Sequence, residues 1–471
     1  MSSNSFKKEL TLSQLIAMAA GGMIAAWMVE ITYWFEMSGP GSLICLIACA
    51  VIIFPLCLIY AEMTSTLPYA GGENIWASNA YGWNCGWFVF WFMFLLYLSA
   101  MPNVTIGIAT MISYLVPLSF AQLKIVSLAL ITIWFVLVNF NIKYLAIAQN
   151  VMFWGTLIIA IIADIIFILS DQWSFSNLSP WFPTGVSGFA VGLGLLMFKF
   201  IGFDLVPQLV EESNVPHKKI VWAYIGAIIC TIGVYGMAVI GVGGILTSDE
   251  IKTMDIVDPR VADMLGMHWL AMVIIVMGAL TCVTTLSGFW LAASRSLYGA
   301  ARQHQITGML DKVNRYGQPW AANIVVYICS IYFCLMAPEA WINYIFTITV
   351  GAAAFVYLFV VLSFMKMRRL HPEWERPFKV KHWKFCGIES LLFVIYVVYQ
   401  AIIAMDLQTT IALLIYFAIG LVLFIYAKLM QKKNPAKWEP IILDYDPVHA
   451  LKKEHDVRKS QEYRPFLLNT A

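Results

Sequence analysis

The stretch Val186–Pro207, VSGFAVGLGLLMFKFIGFDLVP, is apolar enough to lie in a membrane, yet glycines, a lysine and an aspartate interrupt it. Within a bilayer, an irregular backbone is tolerated only where it is buried in protein or lines a cavity. We therefore expect a broken membrane helix here, with polar backbone exposed near the middle of the bilayer.

The composition of the whole chain agrees with a membrane environment. Of its 471 residues, 61% are hydrophobic and only 12% are charged, whereas soluble domains carry about 25% charged residues. This excludes a soluble enzyme and a disordered protein, and the net charge of +2 without a basic face argues against a nucleic-acid partner. Since most of the nine cysteines lie in apolar runs, we expect no disulfides, metal site or cofactor.

Long apolar runs predict an all-α polytopic membrane protein with about twelve transmembrane helices, because one helical span needs about 20 apolar residues. The runs are too long and continuous for a β-barrel. The predicted spans are residues 12–34, 41–65, 84–117, 122–141, 146–170, 186–211, 219–246, 269–302, 319–337, 340–365, 385–405 and 408–430.

The distribution of basic residues predicts that both termini are cytoplasmic. With twelve spans, only Lys124, Lys252 and Arg260 fall in external loops, and Lys199 falls within the membrane. The other twenty-five of the 29 lysines and arginines are then on the inside, as the positive-inside rule requires. We expect no cleavable signal peptide, because the first apolar run is full length and lacks a small-residue cleavage site.

A second interrupted segment, Ala19–Ala26 (AAGGMIAA), lies in the first predicted span. The first and sixth spans correspond if residues 12–171 and 186–366 form two inverted halves of five spans each. Two further helices would follow over residues 385–430. Residues 1–11 and 431–471 would form the cytoplasmic segments at the two ends of the chain. A glycine pair alone usually indicates close helix packing, but paired breaks in corresponding spans are the best sequence indication of a transporter's binding site.

Several motifs share an order and spacing with one known family. In the sixth span, Phe198–Asp204 (FKFIGFD) is followed by Glu212 and Asn214-Val215-Pro216. Further matches are Tyr60-Ala61-Glu62, Pro68-Tyr69-Ala70-Gly71-Gly72, Arg295-Ser296-Leu297-Tyr298 and Glu375-Arg376-Pro377-Phe378. The chain resembles the amino acid–polyamine–organocation permeases, and Gly71–Ala77 (GGENIWA) is most similar to bacterial glutamate/GABA-type antiporters.

The resemblance implies a five-plus-five inverted repeat with broken helices 1 and 6, and a secondary active transporter of amino acids rather than an enzyme. It favours an antiporter that exchanges an amino acid for an amine or another amino acid by alternating access, in a bacterial cell inner membrane. A proton-coupled symporter of the same fold is the alternative, and a membrane enzyme is a distant one. The oligomeric state, a dimer included, does not follow from the sequence.

The resemblance also implies where substrate binds. The substrate carboxylate is expected at the break in the first span, the amino group at the backbone of residues 200–202, and aromatic rings around both. The implied substrate-binding residues are Gly21, Gly22, Met23, Ala25, Ala26, Tyr97, Phe198, Lys199, Ile201, Gly202 and Phe289. Relatives usually have a glycine-rich turn where this chain has Ala25-Ala26-Trp27. The Trp27 side chain is therefore expected to crowd the approach of the substrate carboxylate to the first break. Trp27, Lys199 and Asp204 are the candidate coupling or gating residues.

Some of these residues have structural readings as well. Lys199 must be paired, neutralised or used on an anion at membrane depth. It would either favour acidic substrates or have a structural role, by snorkelling or by an ion pair with Asp204. Asp204 itself is either a coupling carboxylate or a structural one. Tyr97 lies with Met93 and Met101 on one helix face, a pattern that more often indicates core packing than a pocket. Glu30 and Asp164 are embedded acids for which the sequence indicates no role.

The C-terminal tail allows two interpretations. The resemblance to glutamate/GABA-type antiporters implies a tail that plugs the inward pathway and releases it in acid. Residues Tyr463–Leu468 (YRPFLL) would then dock in the cytoplasmic vestibule, with His449 and His455 titrating near pH ~6.5. Alternatively, the tail is a solvated basic segment that contacts anionic lipid.

Overall fold

The computed structural model describes residues 8, 10–140, 142–446 and 467–469. Its α-helices are α1 Leu12–Met23, α2 Trp27–Ser38, α3 Ser42–Thr66, α4 Gly72–Tyr81, α5 Trp83–Ser113, α6 Phe120–Leu137, α7 Ile142–Ile168, α8 Gly185–Leu195, α9 Leu205–Leu209, α10 Val221–Gly243, α11 Ser248–Ile251, α12 Asp258–Met264, α13 His268–Arg302, α14 Trp320–Met336, α15 Trp341–Leu370, α16 Trp383–Ile403, α17 Leu407–Lys433 and α18 Pro435–Trp438. Short 3₁₀ helices cover Gly39–Gly41, Phe175–Leu178, Leu196–Phe200, Val210–Glu212, His217–Lys219 and Gly308–Asp311. Two strands, β1 Ile441–Leu443 and β2 Leu467–Asn469, pair antiparallel.

The all-α polytopic fold is confirmed. Within the described residues, ten helical segments are long and apolar enough to cross a membrane, one of them running from α2 through α3. Two further apolar helices, α1 and α14, are shorter than this length criterion. The division into inverted halves at 12–171 and 186–366 stays a prediction.

Both predicted interruptions are present. Helix α1 begins at a Thr11 capping box and ends at Met23, and α2 begins only at Trp27, so the first span is broken over residues 24–26. In the sixth span, α8 passes into the 3₁₀ turn Leu196–Phe200, and a regular helix resumes only at Leu205.

The centre of the bundle is formed by α1, α5 and α13. Helix α1 packs against α7, α10 and α13, while α13 packs along α5 and α7. Helix α15 closes another side of this core against α5 and α16. The outer helices expose large apolar side chains such as Val151, Leu414 and Val422, as expected of surfaces that face lipid rather than water.

The first part of the C-terminal segment packs on loops that connect the spans. The Tyr69 hydroxyl donates to the Asp444 carbonyl at 2.9 Å, and the Asn79 amide donates to the Leu443 carbonyl at 2.8 Å. The Tyr445 ring stacks on Trp374 with centroids 4.7 Å apart. Of the predicted docking segment, only Leu467 and Leu468 lie within the described residues, in β2. His449, His455 and residues 463–466 lie outside them.

Candidate functional site between the two broken spans

The two broken spans contact each other directly through their glycines. Gly202 has φ +142°, and a Cβ placed there would lie 2.7 Å from the Met23 nitrogen and 2.9 Å from the Ala19 carbonyl oxygen. A Cβ on Gly22 would lie 2.5 Å from the Leu205 Cδ1 atom and 3.3 Å from the Gly202 Cα atom. Gly22 and Gly202 are therefore packing positions that hold the two breaks together.

Two side chains from neighbouring helices fix the backbone at the break in the first span. The Tyr235 hydroxyl, from α10, donates to the Met23 carbonyl at 2.5 Å and accepts from the Ala25 amide at 3.3 Å. The Thr285 hydroxyl, from α13, lies 2.5 Å from the Gly21 carbonyl and 3.2 Å from the Ile24 carbonyl. Groups that a continuous helix would pair internally are thus satisfied by α10 and α13.

Other backbone groups at the breaks keep their hydrogen-bonding capacity. Within the described residues, the amides of Ala26 and Met28 donate no hydrogen bond. In the sixth span, no donor within the described residues meets hydrogen-bond geometry at the carbonyls of Phe200 and Ile201. The first break therefore offers donors and the sixth span offers acceptors, which are the partners that a carboxylate and an ammonium group need.

Aromatic rings enclose this region. Phe198 stacks on Phe346 of α15 with centroids 4.0 Å apart, and Tyr97 of α5 lies 6.0 Å from Phe289 of α13. Phe289 also approaches the first span, since its Cε2 atom would lie 3.5 Å from a Cβ on Gly22. The predicted aromatic residues are thus brought to the two breaks from three different helices, and Phe346 joins them as an unpredicted member.

The predicted structural partner of Lys199 is wrong. Its ammonium group forms an ion pair with Glu30 of α2, not with Asp204, and both side chains are fully buried. Glu30 also accepts a hydrogen bond from the Asn103 amide at 3.1 Å. Lys199 and Asp204 lie on opposite sides of the irregular segment around Ile201, so the break directs them to different partners.

Aromatic faces surround the same ion pair. The Lys199 nitrogen lies 4.7 Å from the ring centroid of Phe198, 5.4 Å from those of Tyr235 and Phe346, and 5.5 Å from that of Trp34. Aromatic faces attract a cation, so Lys199 is held by Glu30 and by these rings together.

Asp204 caps the broken segment from which it comes. One carboxylate oxygen accepts the Gly202 amide at 2.8 Å, and the Asp204 carbonyl accepts the Tyr97 hydroxyl at 3.0 Å. The second carboxylate oxygen, Oδ2, is buried and has no hydrogen-bond partner within the described residues. Asp204 therefore stabilises the turn while keeping one acceptor unused.

The other predicted residues lie around the first break. The Trp27 indole N–H donates to Asp258 of α12 at 3.2 Å, which ties the start of α2 to the loop between α10 and α13. A Cβ on Gly21 would lie 3.0 Å from the Thr284 hydroxyl, so Gly21 is a second close-packing position. Among the described residues, no group of three His, Cys, Asp or Glu side chains is placed to hold a metal ion.

Buried and half-buried ion pairs join the helices at the other end of the sixth span. Arg295 of α13 donates to Glu212 at 2.8 Å, and Arg302 donates to Glu211 at 2.7 Å. At the end of α3, Glu62 is paired with Arg368 and Arg376. Two of these pairs connect the end of the sixth span to α13. The other two connect the end of α3 to α15 and to the loop that follows α15.

Four residues that shape the site are not identified by any motif in the sequence. Glu30 was visible as an embedded acid, and its position one turn after the first break was the available signal. Tyr235, Thr285 and Phe346 carry no local motif, because their importance depends only on how α10, α13 and α15 pack against the breaks.

Comparisons with known proteins agree with this architecture. A family model described as amino acid permease matches residues 10–424. The chain is 24% identical to the aspartate-proton symporter of Bacillus subtilis (84% of this chain and 79% of that protein). It is 23% identical to the branched-chain amino acid permease of the same organism (91% and 95%) and 23% identical to its gamma-aminobutyric acid permease (82% and 85%). Since the family match covers most of the chain, including both broken spans, this protein belongs to the amino acid permease family.

Proposed function

We propose that this permease is a secondary active transporter that binds the amino acid between its two broken spans and exchanges it for an amine or a second amino acid. The observation that carries the proposal is that, within the described residues, the amides of Ala26 and Met28 in the first span and the carbonyls of Phe200 and Ile201 in the sixth have no hydrogen-bond partner. An α-amino acid is a zwitterion, and this arrangement offers a donor surface to its carboxylate and an acceptor surface to its ammonium group.

The ion pair between Glu30 and Lys199 bears on the choice of substrate. Because Glu30 compensates the charge of Lys199, the site does not need an anionic side chain for electroneutrality. The surrounding rings of Phe198, Phe289 and Phe346 favour an apolar side chain. We therefore favour neutral amino acids, and preference for an acidic one would require substrate to displace Glu30 from Lys199.

The division of the bundle into broken and continuous helices supports alternating access. The breaks let the outer and inner halves of spans 1 and 6 move separately, while α5 and α13 remain continuous beside them. With both termini in the cytoplasm, the pairs Arg295–Glu212 and Arg302–Glu211 lie on the inner side. Opening of the site toward the cytoplasm would break at least one of these two ion pairs.

Counterflow in proteoliposomes tests the exchange mechanism. Purified protein is reconstituted with unlabelled L-leucine, L-aspartate or 4-aminobutyrate trapped inside, and uptake of the same compound in radiolabelled form is measured. An exchanger takes up label only when counter-substrate is trapped inside. Absence of counterflow across a full panel of amino acids and amines, in protein with a cooperative melting transition, would overturn the proposal.

A proton-coupled symporter is the second candidate, and the buried carboxylate of Asp204, which has no ion-pair partner within the described residues, favours it. A buried carboxylate without a cation is costly within a membrane, and such groups commonly carry coupling protons. A symporter would accumulate label in empty vesicles when an inward proton gradient is applied, and an exchanger would not.

A further inference from the structure

A second buried carboxylate lies close to Asp204, on the inner side of the broken sixth span. Glu73 is the second residue of α4, the short helix between the second and third spans, and its side chain is buried. Its Oε2 atom accepts the Gln208 amide at 2.7 Å, while its Oε1 atom is buried with no hydrogen-bond partner within the described residues. Gln208 lies one turn after Asp204, so the short helix α9 begins at one acid and hydrogen-bonds the other.

The start of α4 is packed tightly on that short helix. Gly71 and Gly72 have φ values of +103° and +28°, and a Cβ on Gly72 would lie 2.7 Å from the Pro207 Cβ atom. The Gly71 amide donates to the Gln208 side-chain oxygen at 3.1 Å. Glu73 is therefore attached to the inner half of the sixth span. A movement of α9 away from α4 would break this contact and expose the Glu73 carboxyl group to water.

Tyrosine hydroxyls face the two carboxylates. The buried Tyr60 hydroxyl, from α3, faces Glu73, and the buried Tyr357 hydroxyl, from α15, faces Asp204. Neither Glu73 nor Asp204 has an ion-pair partner among the described residues. The other titratable groups that face the two acids are Cys57 of α3, Tyr97 of α5 and Tyr224 of α10.

Two ionised carboxylates without a cation are incompatible with this degree of burial. Burial raises the pKa of Glu73 well above its usual range, and the nearby negative charge of Asp204 raises it further. The conformation in which Glu73 and Asp204 are both buried is therefore stable only when at least one proton is bound to these two carboxylates.

We propose that Glu73 and Asp204 together form a proton-binding site, and that Glu73 releases this proton to cytoplasmic water when the inner half of the sixth span moves away from α4. The step breaks the O–H bond of the Glu73 carboxyl group and transfers the proton to water, leaving a hydrated carboxylate. This proposal rests on the proposed alternating access, and it assigns to α4 the coupling of protonation to the closure of the inner pathway.

The sign of the pH effect follows from this assignment. Glu73 binds its proton more tightly when the inner pathway is closed than when the pathway is open and the carboxyl group is hydrated. The closed conformation is therefore favoured at low pH. As pH rises above the ordinary glutamate pKa of ~4.3 toward the raised value, the closed form loses that advantage. Exchange, which requires repeated closure, should therefore slow at alkaline internal pH.

Infrared difference spectroscopy tests proton binding without a substrate. The full chain in liposomes is titrated between pH about 5 and about 9 while the carbonyl stretch of protonated carboxyl groups is followed. Glu73→Gln should remove intensity from that band, and Glu73→Asp should retain the intensity at a shifted frequency. Glu250→Gln, at an exposed loop helix where glutamine preserves the cap, is the matched control and should not change the band.

Counterflow at varied internal pH tests the coupling. The wild type should slow by about tenfold per pH unit once the pair has lost its proton, whereas Glu73→Gln should retain a flat profile. Unchanged spectra for both Glu73 variants, or a wild-type pH profile in Glu73→Gln, would overturn the assignment. If the wild type shows no counterflow at all, the proposed transport function fails instead, and the infrared result still decides whether the pair holds a proton.

Discussion

At the scale of single residues, Lys199 shows how a broken helix changes which groups meet. Its position in an apolar run predicted a functional cation or a partner of Asp204. Sequence spacing could not identify Glu30, because the partner comes from the other broken span and is placed by tertiary packing. What the sequence did predict was that Lys199 needs a compensating group, since an isolated ammonium group within a membrane is costly.

The ion pair leads to a stability prediction. Lys199→Met leaves Glu30 as a buried, unpaired charge, and we expect it to destabilise the protein by about 3–5 kcal/mol. Adding Glu30→Gln to Lys199→Met should recover most of that loss, because no charge then remains unpaired. Thermal unfolding of the purified protein measures both effects. The exposed pair Lys252–Asp249 supplies the control, where Lys252→Met should cost less than about 1 kcal/mol. If the double variant unfolds as early as Lys199→Met, the pair is not the reason for the loss.

Gly202 gives the second prediction at this scale. Its φ of +142° and its contact with the Met23 nitrogen leave no room for a methyl group. Gly202→Ala should therefore lose about 1–3 kcal/mol from backbone strain alone, with further loss from the displaced first span. Gly233→Ala in α10 is the matched control, because a Cβ there meets nothing within 4 Å. Melting curves that coincide for the two variants would contradict the close contact between the breaks.

At the scale of helices, most of the architecture was predictable. Apolar runs of span length specify where helices lie, and glycine together with polar residues indicated the two interruptions. The position of the first break was less predictable. Gly21 and Gly22 suggested that the break lies at these two glycines. Both are helical and closely packed, however, and the chain departs from the helix only at residues 24–26. The break depends on Tyr235 and Thr285, which satisfy its backbone from other helices.

The ion pairs between the sixth span and α13 give a prediction at this scale. Arg295 is fully buried and donates to Glu212, Ser294 and Gln318, whereas Arg302 and Glu211 are each 16% exposed. Arg295→Met should therefore cost about 3–5 kcal/mol, while Arg302→Met should cost about 1 kcal/mol or less. Thermal unfolding of the two variants side by side checks the ranking, and an equal or reversed order would show that burial does not set the strength of these contacts.

At the scale of the whole molecule, the sequence predicted the class of protein better than its site chemistry. Composition and motif order indicated a permease, and the family match over residues 10–424 confirms it. The sequence could not show that Phe346 covers Phe198, or that Glu73 and Asp204 lie near one another, because these residues are far apart in the chain. Such contacts depend on how α4, α9 and α15 pack around the breaks.

The central claim is that an amino acid binds between the two broken spans. The most direct measurement is a cryo-electron microscopy structure of the full chain with whichever amino acid gives counterflow. We predict density with its carboxylate at the amides of Ala26 and Met28, its ammonium group at the carbonyls of Phe200 and Ile201, and the Phe198 ring beside it. Substrate density elsewhere, in a preparation that shows saturable binding, would contradict the account.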